Sequence, residues 1–493
     1  MGFRFPGFRD GHCHPLFAAR EAEGPKLDDI HTVNGILEAL KAYLQDNPGC
    51  AWVDAGSVDR SLVATGQLDA SVLDGVSRSV PVVVHASDHH AIWVNTAALR
   101  TAGLEHKAPA VPNAHIDVDV TGKPTGMIHE WDAMNLIYVH QPQPSLESDL
   151  MAWQRAQDLL MSCGIVAVQE AWIDPGMPEV YLAAVQRDEL FIRVNLAPRI
   201  APQSWRTDLD FAKATRSAVR AAGSPLLTCN TVKLFIDGVI GSKTALLKDS
   251  YGVGRSQADT GNGLSNGADN GTGCKDHGTS IWAEQELLAF ALAADAAGFQ
   301  LHFHAIGDAA VSQALDAIEH VEANNGFVDR RPVIAHAELV DQSDMVRIKN
   351  SGTIVCQQPV WARPDASYQS ASELLGHDRA KAMYPIKSLL NQGVIVSFGS
   401  DWPVSHPNPL EGVYSAVTRT GTGLAGFAGE HEAIDVKSAL YSYSAAVAYQ
   451  LAQDVAQDWV EFDRDLTLAS PEEILAAKVL RVSVAGRVRT VAN

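Results

Sequence analysis

Three things are scarce in this chain, and each scarcity removes a class of function. Basic residues come first: 38 lysines and arginines face 58 aspartates and glutamates, for a formal net charge of −20. Nucleic acid and anionic membrane surfaces are both held by clustered positive charge, so neither is expected as a partner. Cysteine comes second. Six are scattered along the sequence with no Cys-x-x-Cys spacing, which argues against a disulfide framework or a zinc ribbon and fits a reducing cytoplasm. Long apolar runs come third. Nothing approaches the roughly 18 residues of a membrane span, and no basic segment followed by an apolar core opens the chain. What is plentiful is ordinary core material, 46% hydrophobic against 19% charged over 493 residues.

From Met151 onward, short apolar runs rich in β-formers alternate with longer amphipathic stretches. The runs at 164–171, 191–200, 231–238, 299–307, 332–338, 353–359 and 395–403 read as strands. Helical spacing fills the intervals, as at 146–163, 178–188, 283–297 and 308–324. Near-continuous apolar strands separated by helices indicate a parallel sheet covered on both faces. An eighth strand at the N-terminus completes an α/β fold of the (β/α)8 type, a TIM barrel over residues 1–50 and 146–455. Such barrels carry their active sites at the C-terminal strand ends. Residues 51–145, with an apolar strand at 81–85, read as an inserted α/β subdomain over the barrel mouth. The Gly-, Asn- and Asp-rich stretch 252–279 reads as a flexible loop, and 456–493 as a C-terminal β appendage, a partial β-sandwich.

The N-terminal strand carries His12-Cys13-His14. Side chains alternate faces along a strand, so both imidazoles point one way and Cys13 the other. Alone, that spacing is better read as two hydrogen-bonded loop histidines. It gains weight from company: Lys233 lies in strand four, His302 and His304 in strand five, His336 in strand six and Asp401 in strand eight. A charged or imidazole group inside an apolar parallel strand is costly unless paired or metal-bound. Five strands of one barrel each supplying such a group call for a shared ion. Imidazoles mixed with a carboxylate suit Zn2+, and iron, manganese or nickel less specifically. Lys233 admits two readings of equal weight. It forms a salt bridge to Asp237 or Glu170, or burial lowers its pKa and the neutral amine takes up carbon dioxide as a carbamate.

Several separate segments resemble the amidohydrolase superfamily, in particular amidohydrolase family three, which includes N-substituted formamide deformylases. They are Pro6-Gly7-Phe8-x-Asp10-x-His12-x-His14, Asp88-His89-His90-Ala91-Ile92-Trp93-Val94-Asn95, Gly122 to Gly126 followed by Glu130, Val232-Lys233-Leu234-Phe235-Ile236-Asp237-Gly238, His304 to Asp308, His336-Ala337-Glu338, and Gly399-Ser400-Asp401-Trp402-Pro403. His89 stands where the family usually has glycine. The resemblance implies that His12, His14, His304, His336 and Asp401 hold one or two divalent metal ions, with Lys233 as a carboxylated bridge. It favours His304 over His302, which then packs behind the site. It also places His90, Glu130 and Asp237 in motifs near the substrate. Family members normally have β-strands before the first-strand motif. Here about five residues precede it, so the appendage is expected to be half-built or completed by another subunit, in a homodimer.

The resemblance implies hydrolysis of a non-peptide C–N bond, amide or formamide, by metal-activated hydroxide. Asp401 acts as general base and then acid, and His336 helps to stabilise the oxyanion. Trp93, Trp172, Trp361 and Trp402 either line an apolar pocket or pack the insertion onto the barrel. The expected substrate is a small uncharged N-acyl or N-formyl amine. Alternatives are hydrolysis of a cyclic amide, carbamate, urea or ester, deamination at the same site, or a non-catalytic binding protein of amidohydrolase type.

Overall fold

The structure, a computed structural model, describes residues 2–27, 30–58, 62, 68–252 and 277–491. Eight strands, Phe8–Cys13, Ile165–Ile173, Arg193–Ile200, Thr231–Phe235, Gln300–Ala305, Val333–His336, Ile354–Gln357 and Val396–Phe398, are the barrel strands one to eight. They lie side by side in chain order and every pairing is parallel. Each is buried almost throughout because helices cover the outer face and side chains fill the interior. Strand eight closes on strand one just past its end. Asp401 N donates to His12 O at 2.7 Å and His14 N to Trp402 O at 2.8 Å. That approach requires glycine at position 399, where a Cβ would sit 2.6 Å from the His12 backbone nitrogen.

The helices begin where sequence chemistry places them. Ser145 accepts from Ser148 N at 3.2 Å and caps Leu146–Ser162, with Glu147 and Asp149 in the first turn facing the positive end of the dipole. Met177–Gln186, Glu284–Ala296 and Asp308–Asn325 fall within two residues of the expected spans.

Between strands one and two the chain builds a second sheet of five strands. Its spatial order is Val53–Val58, Val82–Ala86, Ala91–Val94, Pro124–His129 and His115–Val118. The first pair is parallel and the others antiparallel. One face buries Leu27, Ile36 and Leu40; the other buries Leu99, Met134 and Ile137. This layer therefore has a core of its own on each face.

The chain's end corrects one expectation. Phe3–Pro6 pairs antiparallel with Trp459–Phe462, which continues through Val479–Val484 to Arg487–Thr490. Residues 3–6 thus supply the strand that seemed missing, and the sheet has four strands from this chain alone. The stretch read as a flexible loop, 252–279, lies for its greater part outside the described residues. No helix among the described residues is long and apolar enough to cross a membrane.

Candidate metal centre

The strand-end polar groups converge. One ligand atom each from His12, His14 and Asp401 lies within 4.8 Å of the others. Asp401 Oδ1 is 2.8 Å from His14 Nε2 and 3.3 Å from His12 Nε2. Lys233 Nζ is 3.3 Å from the same His12 nitrogen. The His336 ring lies 4.9 Å from that of His12, and the His304 ring 4.5 Å from that of His336, centroid to centroid. All six side chains line one cavity of about 2150 Å³ between the barrel mouth and the inserted sheet.

Two members sit on strained backbone. His336 and Asp401 adopt φ of 74° and 54°, a region that non-glycine residues enter at a cost of roughly 1–3 kcal/mol and mostly at functional sites. His336 is the last residue of its strand and Asp401 lies three residues past the end of its own.

Burial sets the protonation states. It presses the imidazoles towards neutrality, with the Lys233 charge adding to the effect: His12 and His304 fall well below the ordinary value and His336 falls to about 3. Burial also lowers Lys233 to about 7, against the opposing pull of Asp401 and Cys356. For Asp401 burial works the other way, but hydrogen bonding to His12 and His14 outweighs it and holds the carboxyl well below its usual range. Neutral imidazoles, an ionised carboxylate and an amine near its titration point are the donor chemistry that a divalent cation requires. The residues fit such an ion.

Hydrogen bonds behind the cluster fix ring orientation. His12 Nδ1 meets His302 Nε2 at 2.7 Å, and His336 Nδ1 meets Gln358 Oε1 at 2.8 Å. With Nδ1–H donated to Gln358, neutral His336 presents its Nε2 lone pair to the cavity, which suits a ligand. His302 therefore stands behind the cluster. Gln358 was not singled out from sequence, although two glutamines closing the apolar run Ile354-Val355-Cys356 were a usable signal.

Neither salt bridge considered for Lys233 forms. Asp237 accepts backbone N–H bonds from Leu246, Gly307 and Ile306 at 2.8, 2.9 and 3.0 Å, and burial raises it to about 7. Glu170 faces outward, accepting from Tyr181 Oη and from Leu16 N at 3.4 Å.

The residues expected around the substrate divide. His90, Glu130, Trp172 and Trp361 line the cavity. His90 Nδ1 is 2.7 Å from Glu130 Oε2, and Trp361 stacks on His336 at 5.3 Å. Three others do not line it. Trp93 is buried in the inserted sheet's own core, its Nε1 donating to Asp69 O at 3.0 Å. Trp402 packs on the barrel core, contributing its carbonyl to barrel closure. Asp237 accepts the three backbone bonds and lies 3.8 Å from His304 Nε2. Alternation explains Trp93: its neighbours on the strand face the other side of the sheet. Phe17, Phe235, Glu21 and His85 also line the cavity and carried no signal in sequence beyond their residue types.

Comparison with known proteins shows what the chain as a whole resembles. An amidohydrolase family model matches residues 3–489. N-substituted formamide deformylase of Arthrobacter pascens is 24% identical over 98% of this chain and 88% of its own length. Protein LONG AFTER FAR-RED 3 of Arabidopsis thaliana is 29% identical over 84% of this chain and 68% of its own. Among solved structures, an uncharacterized metal-dependent hydrolase of Pyrococcus horikoshii superposes with a TM-score of 0.70 at 22% identity, covering 96% of this chain and 88% of that one. The chain belongs to the amidohydrolase family, in its third branch.

Proposed function

We propose that this protein hydrolyses a non-peptide C–N bond in a small, uncharged amide or formamide with an apolar N-substituent. The observation that carries the reading is the meeting of Asp401 with His12 and His14, and of Lys233 with the same His12, on the floor of the cavity. His12, His14, His304, His336 and Asp401 would hold one or two divalent ions, with zinc the best match to an imidazole–carboxylate set. Bound there, a divalent cation supplies a water of lowered pKa and a Lewis acid for the carbonyl oxygen. Lys233, lowered to about 7 by burial, supplies a neutral amine at neutral pH. Its attack on carbon dioxide forms the N–C bond of a carbamate and releases one proton, giving an anion with two ligand oxygens.

Asp401 is ionised and hydrogen-bonded to two imidazoles, so it accepts the proton of the attacking water. It then returns that proton to the departing nitrogen. His336, neutral and locked by Gln358, would offer its Nε2 lone pair to the ion and face the carbonyl oxygen of a bound substrate. Phe17, Trp172 and Phe235 form an apolar wall beside His14, with ring separations of 5.2–6.5 Å. Arg20, Arg199 and Arg363 reach the cavity already paired with Asp149, Asp174 and Asp365, which supports a neutral substrate. Lys243 lines the cavity without a carboxylate partner among the described residues, and it is the group that an anionic substrate would use.

The test is a substrate panel with metal-replete protein: N-formyl and N-acyl amines, cyclic amides, ureas, carbamates, esters and amino-heterocycles. Chelator-sensitive release of amine from neutral amides is the expected result. Activity confined to anionic substrates and lost in Lys243→Ala, or deamination alone, would overturn it.

A further inference from the structure

The cavity has a second imidazole–carboxylate cluster, on its roof. Glu21 ends the helix Pro15–Glu21 that follows strand one. His85 lies on the inserted strand Val82–Ala86, and His89 in the turn before Ala91–Val94. One ligand atom from each lies within 4.8 Å of the others, and all three side chains line the cavity. His89 Nε2 is 3.4 Å from Glu21 Oε2 and is buried without a hydrogen-bond partner. The His85 and His89 rings are 5.1 Å apart.

The surroundings of His85 are those of a ligating histidine. Its Nε2 is 2.7 Å from Asp54 Oδ1, and the other Asp54 oxygen accepts from Gln141 Nε2 at 2.8 Å. A carboxylate behind one ring nitrogen fixes the tautomer and turns the other nitrogen to the ion. That other nitrogen, Nδ1, has a long contact of 3.3 Å with the Tyr138 hydroxyl, which an ion would replace. Burial opposes a charge on His85, but Asp54 outweighs it and raises the imidazole to about 9.

His89 itself needs a reason. It sits at φ 56°, left-handed backbone that glycine enters freely and an imidazole does not. Its resting Nε2 makes no hydrogen bond that would offset the strain.

We propose that Glu21, His85 and His89 form a second divalent-cation site, distinct from the strand-end cluster, that ties the inserted sheet to the first barrel helix. Two imidazoles and a carboxylate suit Zn2+, with Fe2+ and Ni2+ less specific.

The experiment is metal stoichiometry on the full chain, stripped with chelator, reloaded with Zn2+ and dialysed. Wild type is expected to retain one equivalent more than His89→Gly and more than Glu21→Gln/His85→Gln. His89→Gly places glycine on backbone that suits it, so its metal-free melting temperature is expected to be no lower than wild type. In a His12→Asn/His14→Asn background, with the strand-end cluster disabled, Zn2+ should still raise the melting temperature, and adding His89→Gly should abolish that rise. Equal zinc content in wild type and His89→Gly, or no zinc-dependent shift in the His12→Asn/His14→Asn protein, would refute the roof site. Neither result bears on the proposed hydrolysis, which is read from activity and from Asp401.

Discussion

The barrel strand ends bring imidazoles and a carboxylate to the cavity, the inserted sheet and the first barrel helix together bring a second such set, and the two clusters are built in opposite ways. In the barrel, donors from distant parts of the chain are gathered by a backbone lattice. Lys233, His304 and His336 lie on parallel strands in fixed register, His12 lies where strand one shifts register against strand two, and Asp401 is pinned by its own N–H to His12 O. Geometry there is set by the sheet, and the side chains inherit it. On the roof, Glu21, His85 and His89 come from a helix end, a strand and a turn. No sheet spans them, and the cluster depends on side-chain contacts. A strand-end cluster should therefore keep its shape without an ion, whereas the roof cluster gains most of its rigidity by binding one.

The sharpest break of that comparison is Asp401→Asn. General acid–base catalysis is worth about 10²–10⁴-fold, so kcat should fall by roughly 10³ with little change in KM. The zinc-dependent thermal shift assigned to the roof should persist. Steady-state kinetics beside melting curves read both, and near-normal turnover would remove Asp401 from its assigned role.

A smaller effect comes from the groups behind each cluster. Removing such support typically costs 10–100-fold in metal affinity or activity. His302→Phe should weaken zinc at the strand ends by that order and lower turnover in proportion, whereas Asp54→Asn should weaken zinc on the roof alone. Competition with a chromophoric chelator measures each affinity. If both variants weaken the same ion, the two clusters are one site.

The smallest effect concerns the barrel wall. Burial raises Glu170 to about 8, above its ordinary value of 4.5. The folded state therefore binds its proton more tightly than the unfolded chain, and the stability this confers is fully present below about pH 4.5 and lost as pH rises towards 8. Glu170→Gln keeps an acceptor for Tyr181 without an ionisable group. Its melting temperature relative to wild type should rise by a few degrees between pH 5 and pH 8, and a constant difference would show that Glu170 is not held neutral.

How much of this was legible beforehand differs by region, for physical reasons. The barrel strands announced themselves because a strand buried on both faces must be apolar, so any histidine, lysine or aspartate within one stands out. The substrate residues were harder to read. Trp93, Trp172, Trp361 and Trp402 are chemically alike in sequence, yet two face the cavity and two are packing. Which side a tryptophan takes depends on strand parity and loop path, and neither is encoded in residue type. Asp237 misled because a buried carboxylate satisfied by three backbone N–H groups looks, in sequence, the same as one aimed at substrate.

The sequence by itself determined the alternation of buried strands and helices, and the identity of the polar groups that interrupt it, because burial permits so few residue types there. Only the tertiary structure decided which of those groups meet. Closure of strand eight onto strand one brought Asp401 to His12 and His14, burial outweighing the pull of Asp401 left Lys233 near its titration point, and the folding of the inserted sheet over the barrel brought His85 and His89 to Glu21. Proximity between residues far apart in the chain is a property of packing, and packing is settled by the whole chain at once.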